Sequence, residues 1–323
     1  MTSHILQAYG FDRFSKAKEL NGVEVTKKMA KEDLVWIHLD NAHEETIHWL
    51  QSELKSLDPV AIEALTEEST RPRLEKIGDG LLIILKGVSL DEKTDTEDLV
   101  ALRVWVDAKR VITLARKPLK GISGFESKLE SGQIEANAGS ILSGLIHFLV
   151  LKMEPRLSLI DALLDEIEEE VLEKADPSLS DDLVSLRKKS ILFKRYLLPQ
   201  REVLMELLEV DVDWMHETSF RLLTEDYNKT ARFIESLDAV RERAQIVRDE
   251  LTTASNEKLN KNLYILSIIT AIFLPLGFLT GLLGVNVGGI PGAENPQAFV
   301  YFCGILFVII ILQMLIFIKL KWF

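Results

Sequence analysis

The chain has 323 residues, 47% of them hydrophobic, with 50 acidic and 38 basic side chains and one cysteine. Residues 1–255 carry a net charge of −14 and residues 256–323 a net of +2, which excludes a nucleic-acid-binding body with a basic patch. Cys303 alone excludes an intramolecular disulfide framework or a cysteine-rich zinc cage.

A mean hydropathy of +0.11 beside 27% charged residues means that charge and apolar side chains occupy different stretches. The start, MTSHILQAYG, holds no apolar signal core, so the soluble part is expected in the cytoplasm. Residues 1–140 read as an α/β domain. LVWIHL (34–39), LLIILKGV (81–88), LVALRVWV (99–106) and RVITLAR (110–116) are apolar, β-branched runs of strand length. Helical patterns cover Glu44–Leu57 and Pro59–Glu67, the second with proline at its start. RPRLEKIGDG (71–80) reads as a turn into the second strand, and LDEKTDTED (90–98) as a polar, hairpin-like connection.

Residues 141–262 form a stalk of long helices, punctuated by Pro155, Pro177 and Pro199. Gln200 to Leu274 holds no glycine or proline. A weak break is expected near Val210–Glu217, after which one helix runs unbroken into a membrane span. Leu263–Gly284 and Phe299–Ile318 are charge-free stretches of 22 and 20 residues, and about 20 helical residues cross a bilayer core. The spans are therefore 263–284 and 298–318, with an outer loop at 285–297 and a tail at 319–323. Lys258, Lys261, Lys319 and Lys321 flank the spans and the loop has no Lys or Arg, so both termini are expected in the cytoplasm.

Two helices cannot enclose a polar path, so a transporter built on them must be an oligomer with one span per copy around a central pore. Helical steps along the first span align Asn260, Leu263, Ser267, Thr270, Leu274, Gly277, Gly281 and Gly284. Two readings stand for this small, hydroxylated seam: close helix contact or a water-facing pore lining. Its inward continuation runs through Asn256, Thr253, Asp249, Ile246, Glu242, Ala239 and Glu235. Stacked about an axis, these carboxylates make acidic rings that concentrate cations, Asp249 being the one singled out. Neither span holds an ionisable side chain, which suits an ion that keeps much of its hydration shell.

At the outer end of the first span stands FLPLGFLTGLLGVNVGGIPG (273–292). This block resembles the CorA-type divalent-cation transporters, whose signature is Gly-Met-Asn. Valine at 285 in place of methionine is similar to the zinc-transporter branch called ZntB, as are EESTRPR (67–73), GDGLLIILK (78–86) and RKKSILFKRYLLPQR (187–201). The resemblance implies a funnel-shaped homopentamer in the cell inner membrane, contacting lipid and its own copies. It implies zinc as substrate, no cofactor and no enzymatic reaction. Gly284, Val285 and Asn286 fall at the outer mouth, where Asn286 presents one amide per copy to a hydrated ion. Asn260 matches a pore-facing asparagine at the inner end, and Glu294 adds an attracting loop charge. The alternatives are a magnesium or cobalt channel of the same architecture and, from another class, a membrane-anchored scaffold.

His38, His43 and His48 are spaced by five and five, whereas helical metal pairs favour i, i+4, so no shared site is expected from them. Asp161–Asp182 holds ten acidic residues and one lysine, and 187–201 holds six basic ones. The simple reading is two antiparallel helices exchanging surface ion pairs, each worth little.

Overall fold

The structure, a computed structural model, describes residues 4–11, 16–53, 57–68, 70–90, 99–174, 176–285, 290, 292 and 295–320. Two compact units divide it, Met1–Asp249 and Glu250–Phe323.

The first unit is built on seven strands: β1 (Ile5–Phe11), β2 (Ala17–Glu19), β3 (Val35–Asp40), β4 (Arg73–Ile77), β5 (Gly80–Val88), β6 (Leu99–Val106) and β7 (Arg110–Ala115). They form one sheet in the order β2-β1-β3-β7-β6-β5-β4. Only β3 and β7 pair in parallel. The four strands expected from apolar runs are the central ones, β3, β7, β6 and β5. They are buried along nearly their whole length, as a sheet covered on both faces requires.

One face of β3 presents Val35, Ile37 and Leu39 to a core shared with Leu50, Ala61, Leu65, Ile112 and Leu114. Helices α1 (Gly22–Ala30), α2 (Glu44–Glu53) and α3 (Pro59–Thr66) supply that layer. On the other face Trp36 is fully buried. It stacks on Tyr9 at 5.6 Å, meets Phe125 edge-on at 4.9 Å, and donates from Nε1 to Thr113 Oγ1 at 3.0 Å. Phe125 belongs to α4 (Lys120–Glu130).

The segment read as a turn at 71–80 is corrected: it carries an edge strand, β4, joined to β5 by a two-residue turn. Gly78 stands there at φ +60°, a conformation that side chains beyond Cα disfavour. The connection at 91–98 lies outside the described residues.

Buried beside Trp36, His38 places Nδ1 2.9 Å from Thr113 Oγ1. Burial pushes its pKa from 6.5 down to about 4. The native state therefore holds His38 neutral while the unfolded chain protonates it below about 6.5. Its contribution to stability is complete above that pH, declines as pH falls, and is gone near pH 4. The whole window is worth roughly 3 kcal/mol. Melting the detergent-solubilised protein across pH 4–7 is expected to show a steeper acid loss than in His38→Gln; parallel curves refute the assignment.

Three long helices follow: α5 (Ala138–Glu173), α6 (Leu179–Glu209) and α7 (Glu217–Leu283). Leu142, Leu145, Leu149, Met153, Leu157, Ile160, Leu164, Ile167 and Val171 make a buried stripe on α5 at helical spacing. The expected break falls between Glu209 and Glu217. Pro155 and Pro199 do not end helices but lie inside α5 and α6; only Pro177 stands between two. The acidic and basic segments do not chiefly exchange pairs with each other. Both meet α7: Arg243 engages Asp165 and Glu168 at 2.5 Å, and Lys194 engages Asp238 at 2.6 Å.

Candidate functional site

Among the described residues two helices are long and apolar enough to cross a membrane, α7 and α8 (Ala298–Lys319). The C-terminal third of α7 carries the small, hydroxylated seam. Asn260, Leu263, Ser267, Leu274 and Gly281 are exposed in the protomer, as is Thr270. The inward residues Glu235, Ala239, Glu242, Ile246, Asp249, Thr253 and Asn256 are exposed too. The opposite stripe, Phe233, Leu237, Val240, Ala244 and Val247, is buried. From Glu235 to Asp249 these residues lie on the uncovered side of α7, opposite that buried stripe; from Leu259 to Leu283 most of the helix circumference is exposed, Ile265, Ile269, Phe273 and Phe278 as well as the seam.

The seam's hydroxyls are already committed to their own helix. Ser267 and Thr270 donate to the carbonyls of Leu263 and Leu266, each at 2.8 Å. Their protons are spent, but each oxygen keeps acceptor capacity, so the face presents hydroxyl lone pairs. A Cβ built on Gly277 or Gly281 meets nothing within 4 Å, whereas one on Gly284 lies 2.8 Å from the Thr280 carbonyl oxygen. The first two glycines are not demanded by the protomer. The third is, because the last turn closes through Gly284 N–H to Thr280 O at 2.9 Å. Val285 follows, exposed. Asn286 and Glu294 lie outside the described residues.

Pro275 sits inside α7. It has no N–H, so the Ala271 carbonyl one turn back loses its helical donor. Gln313 of α8 supplies the replacement, donating Nε2–H to Ala271 O at 3.1 Å. In hydrocarbon a bare carbonyl is costly, and a neighbouring helix is the usual remedy. Ala271 lies about 80° around the helix from the middle of the seam, at about 100° per residue. The bond therefore ties the two helices without covering the seam.

Deeper in the first unit, Asp249 accepts from Gln245 Nε2 at 2.8 Å, and Arg187 of α6 donates to the Gln245 amide oxygen. Asp249 is exposed yet held by this relay. Asp226 of α7 is buried, with His147 Nδ1 3.0 Å from its Oδ1. Burial raises its pKa, and the His147 contact opposes that rise. Sequence periodicity did not distinguish this pair from surface residues, since its partners lie 79 residues apart.

A large acidic unit joined to two apolar helices, one with an uncovered polar seam, defines an integral membrane protein of the ion-conducting class. The chain belongs to the CorA-like Mg2+ transporter family, whose model matches residues 31–320. Membership makes it a divalent-cation transporter and not an enzyme. It is 37% identical over 295 residues to the divalent cation transporter CmaX of Pseudomonas aeruginosa, covering 90% of this chain and 88% of that one. It is 31% identical over 300 residues to the zinc transport protein ZntB of Pectobacterium carotovorum, covering 91% of each. The full-length CmaX structure superposes with a TM-score of 0.84 at 34% identity, covering 99% of this chain and 98% of that one. The complete CorA magnesium transporter of Methanocaldococcus jannaschii shares the fold, with a TM-score of 0.83 at 22% identity over 100% of both chains.

Proposed function

We propose that this protein carries zinc across the cell inner membrane through the central pore of a homopentamer, both termini being cytoplasmic. In this reading residues 1–140 form the cytoplasmic α/β domain and 141–262 the stalk, while 263–284 line the pore and 298–318 face lipid. Gly284, Val285 and Asn286 make the outer mouth, with Glu294 in the loop beside it. Asn260, Leu263, Ser267, Thr270, Leu274, Gly277 and Gly281 line the path, and Asp249 draws cations into the cytoplasmic vestibule. The cation is cargo; no cofactor takes part.

The observation that carries this reading is the composition of one helical seam of α7, small and hydroxylated where the helix is apolar and acidic where it is not. A mere anchor needs neither. Without a carboxylate or imidazole in either span, the ion crosses with water attached, and any proton coupling uses water, the loop or the vestibule. Zinc over magnesium rests on Val285 and on the likeness to ZntB.

The test is uptake into liposomes holding the purified protein, with an internal dye for each ion and with or without a pH gradient. Zinc flux above that of empty liposomes is expected, and its response to the gradient reads the coupling. Magnesium flux without zinc flux gives the magnesium or cobalt channel instead. Silence for both ions, with insertion verified, returns the scaffold reading.

A further inference from the structure

His4, immediately before β1, is buried with 4% of its surface exposed. Its ring lies 6.0 Å from that of His43 and 6.1 Å from that of Trp49. Nδ1 stands 3.2 Å from Glu45 Oε2, while Nε2 is buried with no hydrogen-bond partner among the described residues. His43 and Glu45 come from the start of α2, and each of the three residues offers a ligand atom within 4.8 Å of the others.

From this geometry we infer that His4, His43 and Glu45 form a binding site for a transition-metal dication of the zinc class, within one chain and in the extramembrane unit. Two imidazoles and a carboxylate are a donor set that zinc accepts with water as fourth ligand. Magnesium, which prefers oxygen ligands, does not favour it. Two ligands at about 2.1 Å from a tetrahedral ion stand roughly 3.4 Å apart, close to the observed separation of His4 Nδ1 and Glu45 Oε2, 3.2 Å. An ion can thus replace the bridging proton with that pair nearly in place.

His43 must move further. Its Nδ1 now accepts the Glu45 backbone N–H at 3.2 Å, a long bond that ligation through either ring nitrogen displaces. The positive end of α2 opposes a cation there, and the first-turn carboxylates Glu44 and Glu45 offset it. The Glu45 side chain is 62% exposed, which leaves the ion a way in from solvent. Occupancy would fasten the start of β1 to the start of α2. The site involves none of the seam residues, so its occupancy and transport are separable.

The experiment uses full-length, tag-free protein in detergent, titrated with Co2+ as a spectroscopic stand-in. The intense visible absorption of four-coordinate cobalt is expected to saturate at about one ion per chain. Zinc displaces it and excess magnesium does not. His43→Gln and Glu45→Gln are expected to weaken binding at least tenfold; each also loses a contact at the start of α2, so metal-free melting falls slightly, and Glu44→Gln, which removes a first-turn charge but no ligand, is the control that keeps wild-type binding. His4→Gln is read alongside, but the two surface variants decide the matter if it folds poorly. Hydrated cobalt in the pore stays six-coordinate and absorbs weakly, so absent transport does not imitate an absent site. Identical titrations for wild type and both surface variants, or cobalt that magnesium displaces, overturn the assignment.

Discussion

Gly281→Leu is expected to bring cation flux down to the level of empty liposomes while the melting of the sheet domain stays where it was. The reason lies in the empty space around this residue. Nothing stands within 4 Å of a Cβ at Gly281, so the protomer accommodates leucine without strain. Any penalty must come from another copy or from the ion path. Gly304 on α8 has equally open surroundings, and Gly304→Leu, on the helix proposed to face lipid, is expected to retain flux. Oligomer size in detergent then separates two causes. A complex that falls apart assigns Gly281 to close helix contact, whereas an intact complex that conducts nothing assigns it to the lining. Full flux in Gly281→Leu removes the seam from the mechanism.

Asn286→Ala is expected to lower zinc flux at least tenfold with the oligomer unchanged. In the proposed pentamer each copy would contribute one neutral amide. A hydrogen bond from such a group to a water of the hydrated ion is worth about 1 kcal/mol. A ring of them together therefore exceeds the roughly 1.4 kcal/mol that a tenfold change represents. At the proposed mouth a neutral amide would hold the aquo-ion without stripping or trapping it. Flux assays at several zinc concentrations check this: the loss is expected to be greatest at low zinc, where capture at the mouth limits the rate. Wild-type flux at all concentrations refutes the role.

Legibility in the sequence followed burial. The strands β3, β5, β6 and β7 are covered on both faces, and burial on both sides writes an unbroken apolar run that can be read without knowing what covers it. At the sheet's edge, β4 (RLEKI) has no fully buried residue, with Glu75 and Lys76 exposed, and looks like a charged turn. The short β2 and the mixed β1 escaped for the same reason, as did α1 and α4, which bury only a narrow stripe. The long helices were legible because no glycine or proline interrupts 200–274. Their prolines misled, since Pro155 and Pro199 are carried inside helices held by their neighbours.

The seam on α7 was legible because it is a property of one helix and its period. Contacts between distant segments were not. The acidic run of α5 looked ready to pair with the basic run that follows it in sequence, yet its strongest partner is Arg243, 75 residues beyond Glu168. His38 and His48 drew attention by their even spacing from His43. The possible metal ligands that approach His43 are instead His4, from the start of β1, and Glu45, two positions along.

The bond from Gln313 to the Ala271 carbonyl has a consequence for how the two membrane helices are to be regarded. Backbone continuity in α7 is not self-contained at mid-membrane: one of its carbonyls is completed by a side chain that belongs to α8. The second helix is therefore a chaperoning splint rather than a greasy peg. Its hydropathy is interchangeable with that of any apolar twenty-residue segment, but its amide at 313 is not. Turning α7 about its own axis, or sliding it past α8, uncovers a polar atom in a solvent that has nothing to offer it. The two helices are accordingly keyed to each other at this point, and in the proposed oligomer any opening that preserves the bond would take place between copies.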